Sequence, residues 1–400
     1  MKILIAEDDN VSRLVLVSAL KKQGHEVVAT ENGLEALQVL QKEYFPVLIL
    51  DWLMPGMDGL EVCREVRSLL LESYTYIVLL TSLEGKSNYL EAMDAGADDF
   101  ISKPFDADQL RGRIHVAERI INLQLRIAEG ARELREKNEQ MEKDLEMAHE
   151  LQMALLPQQF PSIPRDAPAT ESAIKFSSVY YPMAAVSGDF FTVTRLSDAA
   201  LAVFIADVMG HGVRAGLITT MISALVEKFS AAAADPAVML SKINCSLLSI
   251  LKNTDRSLFV TGFYLVADAA RSRILYANAG HPAPLLLHRV RGEIESISSD
   301  GGSGPALGLF DEAKYRTCEC PMAVDDFIML FTDGLFEVEA ADDKIYSRER
   351  LIAAVRERVR LPSAKMIAEL FGEIKLFSNR AQFSDDVCLV GMDVTRLCEC

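Results

Sequence analysis

Carboxylates stand at the ends of apolar runs in this 400-residue chain, where side chains from separate strands can meet. Ile5-Ala6-Glu7-Asp8-Asp9 sets three acids behind the first run, and Leu48-Ile49-Leu50-Asp51 sets another behind the third. Leu79-Leu80-Thr81-Ser82 and Ile101-Ser102-Lys103-Pro104 close the next two with hydroxyls and a cation. Glu7, Asp8 and Asp51 gathered in one crevice repel one another unless a hard cation such as Mg²⁺ is shared among them. An aspartate held beside Mg²⁺ can attack a phosphoryl donor and form an acyl phosphate. Thr81 is suited to bond a phosphoryl oxygen, and Lys103 to neutralise its charge.

The elements that must position this cluster are short. Strand-like runs at 3–6, 26–30, 47–50, 77–80 and 99–102 alternate with amphipathic segments at 11–23, 33–42, 59–71 and 87–96. Apolar strands separated by helices imply parallel βαβ units in a doubly wound α/β sheet, which binds ligands at the carboxyl ends of its strands. With Glu7-Asp8, Asp51, Thr81 and Lys103-Pro104 in this order, residues 1–123 resemble the receiver domain of two-component response regulators. The resemblance implies that Asp51 accepts phosphate from a histidine kinase or phosphotransfer protein. It also implies that Thr81 and Phe100 reposition when it does. Trp52, the single tryptophan, follows the acceptor and is expected to report phosphorylation by its fluorescence.

A second acidic set lies further along, at turns with small neighbours: Asp189 in Val186-Ser187-Gly188-Asp189-Phe190, Asp207 in Ile205-Ala206-Asp207-Val208-Met209-Gly210-His211-Gly212, Asp333 in Thr332-Asp333-Gly334, and Asp385 in Phe383-Ser384-Asp385-Asp386. Scattered carboxylates without convergent histidine or cysteine favour Mg²⁺ or Mn²⁺ over zinc. Paired ions of this kind serve in-line phosphoryl transfer to a hydroxide. Together with Leu155-Leu156-Pro157 and Asn278-Ala279-Gly280-His281-Pro282, the quartet makes this region resemble the PPM/PP2C-type serine/threonine phosphatases, and more closely their bacterial SpoIIE/RsbU-like branch. By position, the resemblance implies two Mn²⁺ or Mg²⁺ ions. Asp207 would bridge them, the Val208 carbonyl would ligate the second, Asp333 and Asp385 would hold the first, and Asp189 would act through metal-bound water. Met209 stands where eukaryotic relatives carry a histidine proposed as general acid, so that role is not transferred to His211. His211 and His281 read more simply as turn histidines bonded to backbone.

Residues 171–394 show strand patterns that mostly neighbour other strands, which implies an α+β antiparallel β-sandwich flanked by helices. Between the two regions, 119–156 holds no proline and repeats apolar residues every seven positions at Ile120, Ile127, Leu134, Met141, Ala148 and Leu155. The companion positions Gln124, Ala131, Asn138, Leu145 and Gln152 are half polar. This reads as a parallel coiled coil that makes a homodimer, or else as one amphipathic helix packed on a neighbouring domain. The expected organisation is a receiver at 1–123, a helical coiled-coil linker at 119–156 and a phosphatase domain at 157–394.

Composition narrows the class. With 41 basic and 58 acidic residues the formal charge is −17, which argues against nucleic-acid binding. No apolar run spans a bilayer and no signal peptide is evident, so no membrane partner and a cytoplasmic location are expected. Seven cysteines, including Cys318-Glu319-Cys320 and Cys398-Glu399-Cys400, match no standard zinc spacing and read as reduced thiols.

The expected function is a response regulator in which phosphorylation at Asp51 controls a metal-dependent protein serine/threonine phosphatase. The resemblance implies a phosphorylated anti-sigma-factor antagonist as its substrate. Two other readings are weaker. Ser187-Gly188-Asp189-Phe190-Phe191 faintly matches the loop of diguanylate cyclases but leaves Asp333 and Asp385 unexplained, and a non-catalytic adaptor leaves the whole quartet without purpose.

Overall fold

The computed structural model describes every residue except 70–72, 83–85, 105, 253–257, 299–302, 341–343, 379–382, 384 and 399–400. The chain divides into two compact units, Met1–Gln140 and Met141–Cys400.

The first unit runs β1 (Lys2–Ala6), α1 (Asn10–Lys22), β2 (Glu26–Thr30), α2 (Gly33–Leu40), β3 (Val47–Asp51), α3 (Gly59–Ser68), β4 (Tyr76–Thr81), α4 (Lys86–Asp94), β5 (Asp99–Ser102) and the start of α5 (Ala107–Leu155). Its five strands are parallel in the order β2-β1-β3-β4-β5. The central strands are apolar throughout because helices cover both faces. Leu4, Leu48, Leu50, Ile77 and Leu79 face one core with Ala36, Leu60 and Val62. Ile3, Ile5, Val47, Ile49, Val78 and Leu80 face the other with Leu16, Leu110 and Ile114. Asp9, Asn32 and Asp58 cap the helices that follow β1, β2 and β3, which fixes where each strand-end loop turns.

α5 is a single helix of 49 residues, so the last receiver helix and the linker are continuous. Proline is excluded between Pro104 and Pro157, and nothing in the intervening sequence breaks the ladder. Its partners change along its length. Leu110, Ile114, Ala117 and Ile121 are buried in the first unit. Ile127, Leu134 and Met141 are exposed by 65, 61 and 61%. Gln152 and Leu156 are buried again, in the second unit.

The second unit continues with β6 (Ile174–Tyr181), β7 (Asp189–Arg195), β8 (Ala200–Val208), α6 (Val213–Lys228), α7 (Pro236–Leu251), β9 (Val260–Asp268), β10 (Arg273–Ala279), β11 (Leu285–His288), β12 (Glu293–Ser296), β13 (Cys318–Pro321), β14 (Asp326–Phe331), β15 (Val338–Glu339), β16 (Ile345–Tyr346), α8 (Arg348–Arg358), α9 (Ser363–Ser378) and β17 (Val387–Val394). Two antiparallel five-stranded sheets form, β13-β10-β9-β8-β7 and β12-β11-β14-β17-β6. The period-two alternation of β14 shows the layering. Ile328 and Leu330 enter the core shared with the first sheet, α6 and α7, whereas Phe327, Met329 and Phe331 enter the core beneath α8 and α9. Each such fully buried side chain contributes roughly 1.5–3 kcal/mol.

The sandwich was expected, but β7, β12 and β13 were not. In particular, Asp189 opens a strand instead of sitting within a turn. Among the described residues no helix is long and apolar enough to cross a membrane. The described cysteines are all unpaired; Glu399 and Cys400 lie outside the described residues.

Candidate functional site

The first unit gathers its strand-end residues as expected. Carboxylate oxygens of Glu7, Asp8 and Asp51 all lie within 4.8 Å of one another. Lys103 Nζ sits 2.7 Å from Glu7 Oε2 and 3.0 Å from Asp51 Oδ2. Burial lifts the Glu7 carboxyl above its ordinary range, the Lys103 bond opposes that rise, and the charge of Asp51 adds to it. For Lys103, burial alone would lower the ammonium pKa, but Glu7 and Asp51 together raise it. Thr81, at the end of β4, is buried, and Phe100 packs against the core on the α2–α4 side. The main-chain N of Trp52 donates to the Leu80 carbonyl at 2.9 Å, and its side chain is buried. Three acids that share one compensating cation leave room for a further divalent ion.

The second unit brings together a quartet from two sheets. Asp189 and Asp207 are register partners at adjacent ends of β7 and β8. Asp333 begins a short 3₁₀ turn directly after β14, and Asp385 lies just before β17, the antiparallel neighbour of β14. The acids act on one another electrostatically. Burial and then the charges of Asp333, Asp385 and Asp386 push Asp207 up to about 8. Asp189 rises well above the carboxylate range through burial and then Asp207. Asp333 and Asp385 are also raised, chiefly by burial. Neighbouring acids disfavoured in their charged form make a set that divalent cations would relieve, and the all-oxygen donors suit Mg²⁺ or Mn²⁺.

Neutral donors hold this set in place. Thr332 Oγ1 donates to Asp189 Oδ2 at 2.7 Å and accepts from Cys388 N at 3.0 Å, tying the sheets together. Asp386 accepts from Met183 N and Gly188 N, each at 2.7 Å, and so pins the loop that leads into Asp189. Close packing makes two glycines necessary. A Cβ at Gly334 would stand 1.9 Å from the Asp386 carbonyl oxygen, and one at Gly188 would stand 2.8 Å from that of Val208. That Val208 carbonyl therefore lies against the Gly188 turn that leads into Asp189.

The seven-residue repeat leaves Gln152 either on a coiled-coil seam or on a helix packed against a domain, and the structure gives the second. Gln152 is buried against the second unit. Its Nε2 donates to the Ser187 carbonyl at 2.7 Å and lies 3.1 Å from Thr219 Oγ1, while its Oε1 accepts from Ser187 N at 2.9 Å. The end of α5 thus clasps the residue two places before Asp189. The available signal was a glutamine on an otherwise apolar seam just before Leu155-Leu156-Pro157. Thr332 and the two-donor role of Asp386 carried no comparable signal, because both depend on strands distant in sequence.

The histidines divide. His211 is exposed. His281 is 4% exposed, its Nδ1 is 2.9 Å from Thr261 Oγ1, and its main-chain N donates to Asn278 Oδ1 at 2.8 Å. Its ring thus meets a side-chain hydroxyl as well as the Phe331 backbone. Burial lowers its pKa to about 3, so the ring is neutral.

A parallel receiver fold with an acid triad, followed by an antiparallel sandwich with an acid quartet between its sheets, defines a receiver joined to a PP2C-like domain. Comparison with known proteins gives the same two parts. Residues 3–115 match the family model of the response regulator receiver domain, and residues 197–395 match that of stage II sporulation protein E (SpoIIE). The chain therefore carries a receiver domain and a SpoIIE-type, PP2C-like domain.

It is similar to phosphoserine phosphatase RsbP of Bacillus subtilis (strain 168), 24% identical over 63% of this chain and 58% of that one. Its receiver is similar to response regulator MprA of Mycobacterium leprae (strain TN), 39% identical over 28% of this chain and 49% of that one. The chain thus spans about half the length of these relatives. In fold, it is similar to the SiaA-PP2C domain of Pseudomonas aeruginosa, at a TM-score of 0.54 and 22% identity over 64% of this chain and 98% of that one.

Proposed function

We propose that this chain is a response regulator in which phosphorylation of Asp51 controls a metal-dependent protein serine/threonine phosphatase. The substrate would be a phosphoserine or phosphothreonine on an anti-sigma-factor antagonist. The observation that carries the reading is the placement of Asp189 and Asp207 as register partners on β7 and β8, tied by the Thr332 bond to the neighbouring β14 and β17 ends where Asp333 and Asp385 stand.

In the receiver, Glu7, Asp8 and Asp51 would hold Mg²⁺. Asp51 would take the phosphoryl group from a histidine kinase or phosphotransfer protein. Lys103, already bonded to Asp51, would neutralise the added charge. Thr81 would donate to a phosphoryl oxygen as it and Phe100 reposition. In the second domain, Asp207, the Val208 carbonyl, Asp333, Asp385 and Asp189 would hold two Mn²⁺ or Mg²⁺ ions. When bound, these supply an acidified water and charge stabilisation for an in-line displacement. Thr332, Asp386 and Gln152 fix where Asp189 stands, so the helix carrying Gln152 is suited to bias the site. The exposed Ile127, Leu134 and Met141 seam supports a homodimer through the middle of α5. The reading places the protein in the cytoplasm.

The test is Mn²⁺-dependent phosphate release from candidate phosphorylated antagonists, with and without acetyl phosphate. Release that changes with acetyl phosphate is expected. Absence of release with either metal refutes the phosphatase. A rate and an oligomeric state both indifferent to beryllofluoride refute the coupling.

A further inference from the structure

Beside Asp333 lies a cleft of about 480 Å³ whose lining includes Thr261, His281, Ser298, Ser303 and Arg348. None of these residues has a role among the acids, yet the cleft opens against one of them. Its donors are only partly committed. Arg348 Nη2 donates to the Ala283 carbonyl at 2.8 Å and lies 3.4 Å from Ser296 Oγ. Its Nε is buried without a hydrogen-bond partner, as is Nε2 of the almost fully buried His281. Among the described residues Arg348 makes no ion pair within 4.0 Å, although Arg358 and Arg350 nearby in sequence both pair with Glu373.

A guanidinium carries five N–H donors and cannot lose its charge, and buried donors left unpaired are costly. The rest of the lining includes hydroxyls, the Asn278 amide, the Phe336 ring and the acids Asp333 and Glu337, with no cation besides Arg348 among the described residues. An arginine kept beside acids without pairing to them is a site for an incoming acceptor. The ions and the phosphoryl group belong at the quartet, so the group that reaches Arg348 is a neighbour of the phosphorylated residue.

We infer that Arg348 is a specificity-determining residue that binds a carboxylate side chain close to the phosphoserine or phosphothreonine of the substrate. The inference rests on the phosphatase reading and adds the charge of the substrate around its phosphorylated residue. Thr261, Ser298 and Ser303 would line the path of the peptide. Glu337, exposed at the same rim, would disfavour a carboxylate placed away from Arg348.

The experiment uses the full chain with Mn²⁺ and three phosphoserine peptides that differ only in a flanking Glu, Gln or Lys. The readout is the ratio of kcat/KM between peptides within one protein, which cancels any general loss in a variant. About a tenfold preference for Glu over Gln is expected in the unaltered chain. That ratio should fall to near one in Arg348→Gln, and Arg348→Glu should prefer the Lys peptide. A ratio that Arg348→Gln leaves unchanged overturns the inference while phosphate release upholds the phosphatase. Fluorescence anisotropy of the same peptides separates the two readings if turnover is absent. Arg348-dependent selectivity in binding without phosphate release upholds the cleft and refutes the phosphatase, and equal binding of all three peptides overturns the cleft. Arg348→Lys, which keeps the charge at the start of α8, should retain part of the preference and guards against a folding defect.

Discussion

The two acid clusters solve the same electrostatic problem differently. In the receiver, Lys103 reaches both Glu7 and Asp51, so the fold carries its own counter-charge. In the SpoIIE-type domain, among the described residues, Asp189, Asp207, Asp333 and Asp385 have no ion-pair partner, and neutral donors such as Thr332 position them. A cluster partly compensated by its own lysine is less repelled with the ion absent. An uncompensated one repels itself until cations arrive, which ties its stability and its order to metal. The difference suits a switch in the first case and a metal-dependent catalyst in the second.

Five measurements would break or sharpen that contrast. The largest effect is expected from Asp207→Asn combined with Asp333→Asn, which should lower Mn²⁺-dependent phosphopeptide turnover by about 10³-fold or more; retained hydrolysis would remove the metal mechanism altogether. Next come opposite signs in the metal-free protein. Lys103→Met leaves the buried Glu7 unpaired and should destabilise the receiver by about 3 kcal/mol. Asp207→Asn removes a repelled carboxylate and should stabilise the second domain by on the order of 1 kcal/mol. Trp52 fluorescence reads the receiver and calorimetry reads both transitions.

The pH dependence follows from the same asymmetry. The Asp207 pKa is raised from 3.8 to about 8 on folding. The folded state therefore holds this proton more tightly, and its contribution is full below about 4 and lost as pH rises towards 8. Metal-free thermal scans of the second domain should show that decline, and Asp207→Asn should flatten it.

A smaller effect is expected from Gln152→Ala. Turnover should fall about tenfold, with a higher Mn²⁺ concentration at half-saturation, because two hydrogen bonds to Ser187 are lost and the Asp189 loop loosens; an unmoved metal dependence would make the clasp merely structural. Smallest of all is the change in Trp52 emission on adding beryllofluoride, which should saturate and be absent in Asp51→Asn. Trp52 follows the acceptor in sequence and is buried in the receiver core, so emission that ignores beryllofluoride would separate Asp51 from that core.

Much of this was legible because the decisive residues lie at strand ends with strong local patterns. Glu7-Asp8, Asp51, Thr81 and Lys103 each close an apolar run, and helix caps such as Asp58 follow within a few residues. The sandwich was legible from strands that neighbour strands. Less legible were β7, whose Phe190-Phe191 start lies beside a glycine turn, and the edge strands β12 and β13. Short edge strands bury too little for a clear alternation.

The sequence by itself therefore determined the receiver, the sandwich, a helical linker and the order of the acids, whereas the structure showed that linker to run on from the last receiver helix. Only the tertiary structure decided what each polar group meets. A seven-residue repeat marks one face of a helix but not its partner, so whether Gln152 meets a second helix or a domain was open until its Ser187 bonds were known. Thr332 bonding Asp189, and Arg348 left without an acid partner among the described residues, depend on two sheets and a helix packing together. Hydrogen bonds and Coulomb forces act over a few ångströms of space, and spacing along the chain does not encode that distance.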